Sequence, residues 1–194
     1  MNLPNRLTCA RFVLTAFFVA VLSTKWAFSN CVGLLLFIVA GITDYLDGSI
    51  ARSRNLVTDF GKLMDPLADK ILMAAAFVLL VPEHAFPAWV AVVIISREFA
   101  ITGLRLLAAS KGVVLPSEKL GKHKTVWQIV CVIFFLLLLA LAELERAGLL
   151  TGWIYWWDGA RRWVGQPIIA VVLALTVYSG LGYLWKNRTL IGAG

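Results

Sequence analysis

Six apolar stretches of about twenty residues alternate with short polar breaks along this chain. An α-helix of that length crosses a bilayer's hydrocarbon core of about 30 Å. The pattern predicts spans at about 8–26, 31–52, 59–81, 88–110, 122–142 and 166–186. Residues 1–7 read as a short N-terminal interfacial segment, with Pro4 suited to a first helical turn. Thr58 is placed to cap the third helix. Pro66 falls inside that helix, where it removes one ladder hydrogen bond and is expected to kink it. Pro82 and Pro87 bracket a short turn. The expected fold is therefore an all-α polytopic membrane protein with six transmembrane helices, one domain over 1–194.

The charges in the breaks set an orientation. Arg6, Arg11, Arg52, Arg54, Lys62, Arg105, Lys111, Lys119, Lys122, Lys124, Lys186 and Arg188 fall on one side of the predicted spans. Lys25, Arg146, Arg161 and Arg162 fall on the other, and Lys70 and Arg97 lie within spans. Cytoplasmic loops are enriched in Lys and Arg, so both termini are expected in the cytoplasm. Six spans satisfy that parity.

Composition narrows the class without changing this picture. The chain is 60% hydrophobic and 15% charged, where a soluble domain is nearer a quarter charged. A net charge of +7 would suit nucleic acid, but the cations sit between apolar spans, so no nucleic-acid partner is expected. Cys9, Cys31 and Cys131 lie in apolar runs without metal-binding spacing and read as small apolar residues. The run 12–22 lacks a small-residue cleavage site and reads as a retained helix. Residues 151–163 hold four of the eight tryptophans and read as an aromatic belt at the outer interface, with a short amphipathic helix.

The candidate chemistry lies between residues 44 and 70, which carry Asp44, Asp47, Asp59, Asp65 and Asp69. Four carboxylates at bilayer depth cost on the order of 10 kcal/mol unless neutralised. At about 100° per residue, Asp44, Asp47, Gly48 and Ala51 fall within about 100° of one another on one helix. Gly61, Asp65 and Asp69 fall within about 80° on the next. Two carboxylate pairs beside small residues suit a divalent cation clamp with room for a ligand near the backbone. All-oxygen donors favour Mg²⁺ or Mn²⁺, and two such ions side by side suit phosphoryl displacement. The plain alternative is ion pairing of these aspartates to Arg52, Lys62 and Lys70. Asp59 lies off the stripe and reads as a helix N-terminal charge.

The run Asp44-x-x-Asp47-Gly48-x-x-Ala51-Arg52, eight further residues, then Gly61-x-x-x-Asp65-x-x-x-Asp69 resembles the signature of the CDP-alcohol phosphotransferases at every fixed position. The resemblance implies six membrane helices, a homodimer and a metal site facing the cytoplasm. It implies Asp44, Asp47, Asp65 and Asp69 as metal ligands and Asp69 also as the catalytic base. It implies Gly48, Ala51, Arg52 and Gly61 as nucleotide-lining residues. The lead Asn5-Arg6-Leu7-Thr8 with Arg11 also looks like the family's, which brings Asn5 and Thr8 to the nucleotide of a CDP-diacylglycerol donor.

A second constellation is basic. Arg97 and Arg105 lie eight residues apart in an apolar helix and share a face, and Lys122 and Lys124 open the next span. A buried arginine needs a carboxylate or an anionic ligand. Glu98 or a motif aspartate is one partner; an acceptor phosphate is the other, since Arg forks and Lys point charges suit phosphate. The block Ser96-Arg97-Glu98-Phe99 with Gly121-Lys122-x-Lys124-Thr125 resembles the members of the family that use glycerol 3-phosphate. That likeness implies an enzyme transferring a phosphatidyl group from CDP-diacylglycerol to sn-glycerol 3-phosphate, with release of CMP, in the cytoplasmic membrane. Inositol phosphate, serine and phosphatidylglycerol are the alternative acceptors. A divalent-cation transporter is the alternative of another class, but its carboxylates would line several helices through the bilayer rather than bunch near the ends of two.

Overall fold

A computed structural model describes residues 3–53, 59–113, 115 and 119–188. It describes their side chains except those of residues 3–8, 44–53, 59–63, 65–66, 119–120, 122 and 154. Thr58 lies outside the described residues. Those described form helices joined by short turns, with no strand among them. The order is α1 Leu3–Thr24, α2 Ser29–Ser53, α3 Asp59–Leu80, α4 Ala88–Ser110, α5 Lys119–Arg146, α6 Ile154–Ala160 and α7 Gln166–Lys186.

Each predicted span corresponds to a helix, and the differences lie at the ends. The N-terminal lead is no separate segment: α1 begins at Leu3 and takes Pro4 into its first turn, where the missing N–H costs nothing. Helix α3 runs through Pro66 without ending. Pro87, in extended conformation, starts α4. The aromatic stretch is not a detached surface helix. Helix α6 passes through a π-helical turn, Arg161–Gly165, directly into α7. Tyr155, Trp156 and Trp163 are exposed, whereas Trp153 and Trp157 pack against the core. A Cβ on Gly165 would sit 2.9 Å from the Phe135 ring, so this glycine lets the chain cross close to α5.

The core is aromatic at its centre. Phe77, Phe86 and Phe135 meet at centroid distances of 5.6 and 5.7 Å, and Phe18 meets Phe37 at 5.9 Å. Large apolar residues such as Phe17, Leu35, Val92, Val126 and Leu181 face outward instead. Among the described residues, two helices, His123–Arg146 and Tyr155–Lys186, are long and apolar enough to cross a membrane. An apolar exterior around an apolar core is the signature of a membrane protein, whose solvent is lipid.

One end of the molecule gathers its turns. Lys25 pairs with Glu83 at 3.0 Å, and Arg161 donates to the His84 carbonyl at 2.9 Å. At the same end Glu143 explains why α5 outruns its predicted boundary. Its carboxylate accepts from the backbone N–H groups of Asn30 and Cys31, both at 3.0 Å, and from the Asn30 side chain at 3.2 Å. These are first-turn donors of α2 that no intrahelical carbonyl can reach. Glu143 is buried, so its charge is balanced by donors and the helix N-terminus. Glu143→Gln turns one acceptor oxygen into a donor facing other donors. It should destabilise the fold by about 3 kcal/mol, seen as a lower Tm in detergent; an unchanged Tm would remove this contact from the account.

Candidate active site

The aspartate motif occupies one end of the bundle. Asp44, Asp47, Gly48, Ala51 and Arg52 lie in the last turns of α2, and Gly61, Asp65 and Asp69 in the first three turns of α3. Only 54–58 separate the two helices, so the connection is short enough to hold both carboxylate pairs at the same end. Asn5 and Thr8 lie in α1 and Lys122 in α5. Their side chains, like those of Asp44, Asp47, Ala51, Arg52 and Asp65, lie outside the described ones.

Asp69 is described, and its partner is a residue on another helix. Arg11 of α1 donates from Nη1 to Asp69 Oδ1 at 2.7 Å. The arginine side chain is 2% exposed and the aspartate side chain 47%. Arg11 is thus a buried anchor for a half-exposed Asp69. A charge-assisted bond of this length is among the stronger polar contacts a protein makes. Lys70, the next residue, donates to Thr102 of α4.

The basic constellation comes together around α4. Lys124 is buried and donates to Glu98. Arg97 also reaches Glu98, at 3.4 Å, and donates to Ser179 Oγ at 3.0 Å. Arg105 donates from Nε to the Tyr183 hydroxyl at 3.1 Å. Lys70 lies within electrostatic reach of Arg97, Arg105 and Asp69, and Lys124 within that of Arg97 and Lys70. So Lys70, Arg97, Arg105 and Lys124 form one cluster, directly beside the aspartate motif. Each of the four is tied to a fixed acceptor on a neighbouring helix, Thr102, Ser179, Tyr183 or Glu98. Among the described residues, Glu98 and the neighbouring Asp69 are the carboxylates that act on this cluster.

Sequence reasoning placed Arg97, Arg105 and Lys124 in this cluster and named Glu98 as a partner. It missed Lys70 as a member and Ser179, Tyr183 and Thr102 as acceptors. Lys70 carried a signal, a cation inside an apolar helix. The hydroxyl residues carried none, because serine, threonine and tyrosine are ordinary in such helices. His123 is exposed and takes no part in the described contacts. The three cysteines are free.

An all-α membrane bundle with this motif across two helices defines a class. The family model for CDP-alcohol phosphatidyltransferases matches residues 1–178, and the chain belongs to that family. Curated relatives that bear the name CDP-diacylglycerol–glycerol-3-phosphate 3-phosphatidyltransferase include proteins from three bacteria. The Bacillus subtilis strain 168 protein is 45% identical over 148 residues, 70% of this chain and 77% of its own. That of Rickettsia typhi is 35% identical over 188 residues, 97% of this chain and 98% of its own. That of Salmonella paratyphi A is 37% identical over 195 residues, 96% of this chain and 95% of its own.

Proposed function

We propose that this chain transfers the phosphatidyl group of CDP-diacylglycerol to sn-glycerol 3-phosphate, forming phosphatidylglycerophosphate and CMP. The observation that carries the acceptor is the cation cluster beside the aspartate motif. Lys70, Arg97, Arg105 and Lys124 bring four cations together, and Arg forks and Lys point charges suit the phosphate of a phosphate-bearing acceptor; serine has no phosphate for them to hold. The names of the relatives support the same acceptor.

The donor set fits a divalent metal. Asp44, Asp47, Asp65 and Asp69 offer only hard oxygen atoms, and the Asp69 carboxyl is half exposed, which suits Mg²⁺ or Mn²⁺. Two such ions, when bound, supply positive charge to the pyrophosphate and to the departing CMP. Gly48, Ala51, Arg52 and Gly61 border the nucleotide, with Asn5 and Thr8 on its α1 side. Arg11 fixes the orientation of Asp69. Asp69 takes the proton of the acceptor's primary hydroxyl as that oxygen attacks the β-phosphorus; the bond to the CMP oxygen breaks. The basic cluster holds the acceptor phosphate so that its hydroxyl faces Asp69.

In this reading the enzyme is a homodimer in the cytoplasmic membrane, with six spans and both termini inside. The gathering of the turns around Lys25, His84 and Arg161 at one end supports the alternation of helices, and the excess of cations at the other supports its sidedness. In a background with Cys9, Cys31 and Cys131 replaced by alanine, an impermeant thiol reagent on intact cells should label Trp156→Cys and spare His123→Cys. The opposite labelling would overturn the orientation.

The activity is tested with purified protein in detergent. One CMP should appear per phosphatidylglycerophosphate formed, and only when glycerol 3-phosphate is present. Release of CMP with phosphatidic acid as the lipid product would make the protein a hydrolase instead.

A further inference from the structure

Helix α7 supplies one acceptor to each arginine of the basic cluster. Ser179 Oγ accepts from Arg97 at 3.0 Å and donates its own proton to the Leu175 carbonyl at 2.5 Å. A hydroxyl has one proton; with it directed along the helix, the oxygen's lone pairs face the guanidinium. Gly180 follows. A Cβ there would come within 2.9 Å of Arg97 Cγ and 3.3 Å of its Nε, so a bare backbone lets the arginine lie against α7. One turn on, the Tyr183 hydroxyl accepts from Arg105 Nε at 3.1 Å. The tyrosine ring lies under the same guanidinium, with its centroid 5.2 Å from Cζ. Ser179 and Tyr183 are 3% and 4% exposed, which shields both contacts from competing solvent.

The spacing of these tethers has a consequence. Arg97 and Arg105 are separated by about 12 Å of helix rise, whereas Ser179 and Tyr183 are separated by about 6 Å. Side chains on a helix lean toward its N-terminus, which carries the Tyr183 hydroxyl back toward Ser179. The two guanidinium groups are thereby drawn to points closer together than their own backbone positions. Two arginine forks at such a separation suit a single phosphate.

We propose that Ser179, Gly180 and Tyr183 are positioning residues that set the spacing of Arg97 and Arg105 and so make the enzyme select an acceptor bearing a phosphate. The inference rests on the reading that these arginines hold the acceptor. It adds that the sixth span, which has no residue of the aspartate motif, is part of the specificity apparatus.

The test is steady-state kinetics of full-length enzyme in detergent, with glycerol 3-phosphate and CDP-diacylglycerol varied separately. Tyr183→Phe keeps the ring and loses only the hydroxyl; Ser179→Ala loses only its oxygen. Each should raise the KM for glycerol 3-phosphate about 10-fold, leaving the KM for CDP-diacylglycerol and the kcat within about twofold. Gly180→Ala should do the same by crowding Arg97. Tyr183→Phe introduced into Arg105→Ala should add nothing, because the tyrosine acts only through that arginine. A full additional effect in that background, or an equal rise in both KM values, would assign α7 to general stability and overturn the proposal. So would an unchanged KM for glycerol 3-phosphate in both single variants while Arg105→Ala raises it, a result that leaves the acceptor reading intact. An Arg105→Ala enzyme with unchanged KM for glycerol 3-phosphate would instead remove the acceptor reading and the α7 proposal together.

Discussion

Asp44→Asn and Asp65→Asn should each lower turnover by about 10³-fold or more. A metal clamp contributes several kcal/mol of charge stabilisation at a phosphoryl centre, and each ~1.4 kcal/mol is tenfold in rate. The amide keeps the shape of the carboxylate and removes one negative charge. Excess EDTA should abolish wild-type activity in the same way. Folding gives an independent readout. An unneutralised carboxylate at bilayer depth is costly, so in EDTA the two variants should be at least as stable as wild type. Added Mn²⁺ should raise the wild-type Tm by mass action and leave that of the variants almost unmoved. Full activity of either variant, or of wild type in EDTA, would contradict the metal assignment.

Arg105→Ala should raise the KM for glycerol 3-phosphate about 10–150-fold, the range for a lost charge-assisted bond worth ~1.5–3 kcal/mol. It should leave the affinity for CDP-diacylglycerol nearly unchanged, because the proposed place for the donor's nucleotide is along the α2–α3 motif. Arg105 is a cleaner probe than Arg97. Arg97 also touches Glu98, which in turn holds Lys124, so its loss would disturb two other charges. Arg105 instead rests on the neutral Tyr183. If Arg105→Ala and Lys124→Ala both weaken the lipid donor and spare the acceptor, the cluster serves the pyrophosphate.

The positions of the helices were readable because hydrocarbon thickness imposes a length on every apolar run. Their exact ends were not, since those depend on distant partners. Nothing near Glu143 announces that it will cap a helix start 113 residues away. The continuity of the aromatic stretch with α7 was equally hidden, because the same residues suit a surface helix or a π-turned extension. In the site, the eight-residue spacing of Arg97 and Arg105 correctly put both on one face, and both turn to α7. What that face meets is a tertiary matter: Ser179 and Tyr183 lie 82 and 78 residues away. The N-terminal lead drew notice to Arg11 by resemblance alone. Its bond to Asp69, 58 residues on, is what gives it a physical role.

The central claim is that a phosphate-bearing acceptor belongs in the cation cluster. The most direct measurement offers purified enzyme labelled CDP-diacylglycerol with Mg²⁺ or Mn²⁺ and glycerol 3-phosphate, inositol phosphate, serine, phosphatidylglycerol or glycerol in parallel. The account predicts labelled phosphatidylglycerophosphate as the dominant product, little product from inositol phosphate, and essentially none from serine or from glycerol, which lacks only the phosphate. Comparable turnover of glycerol and glycerol 3-phosphate, or a preference for serine, would contradict it.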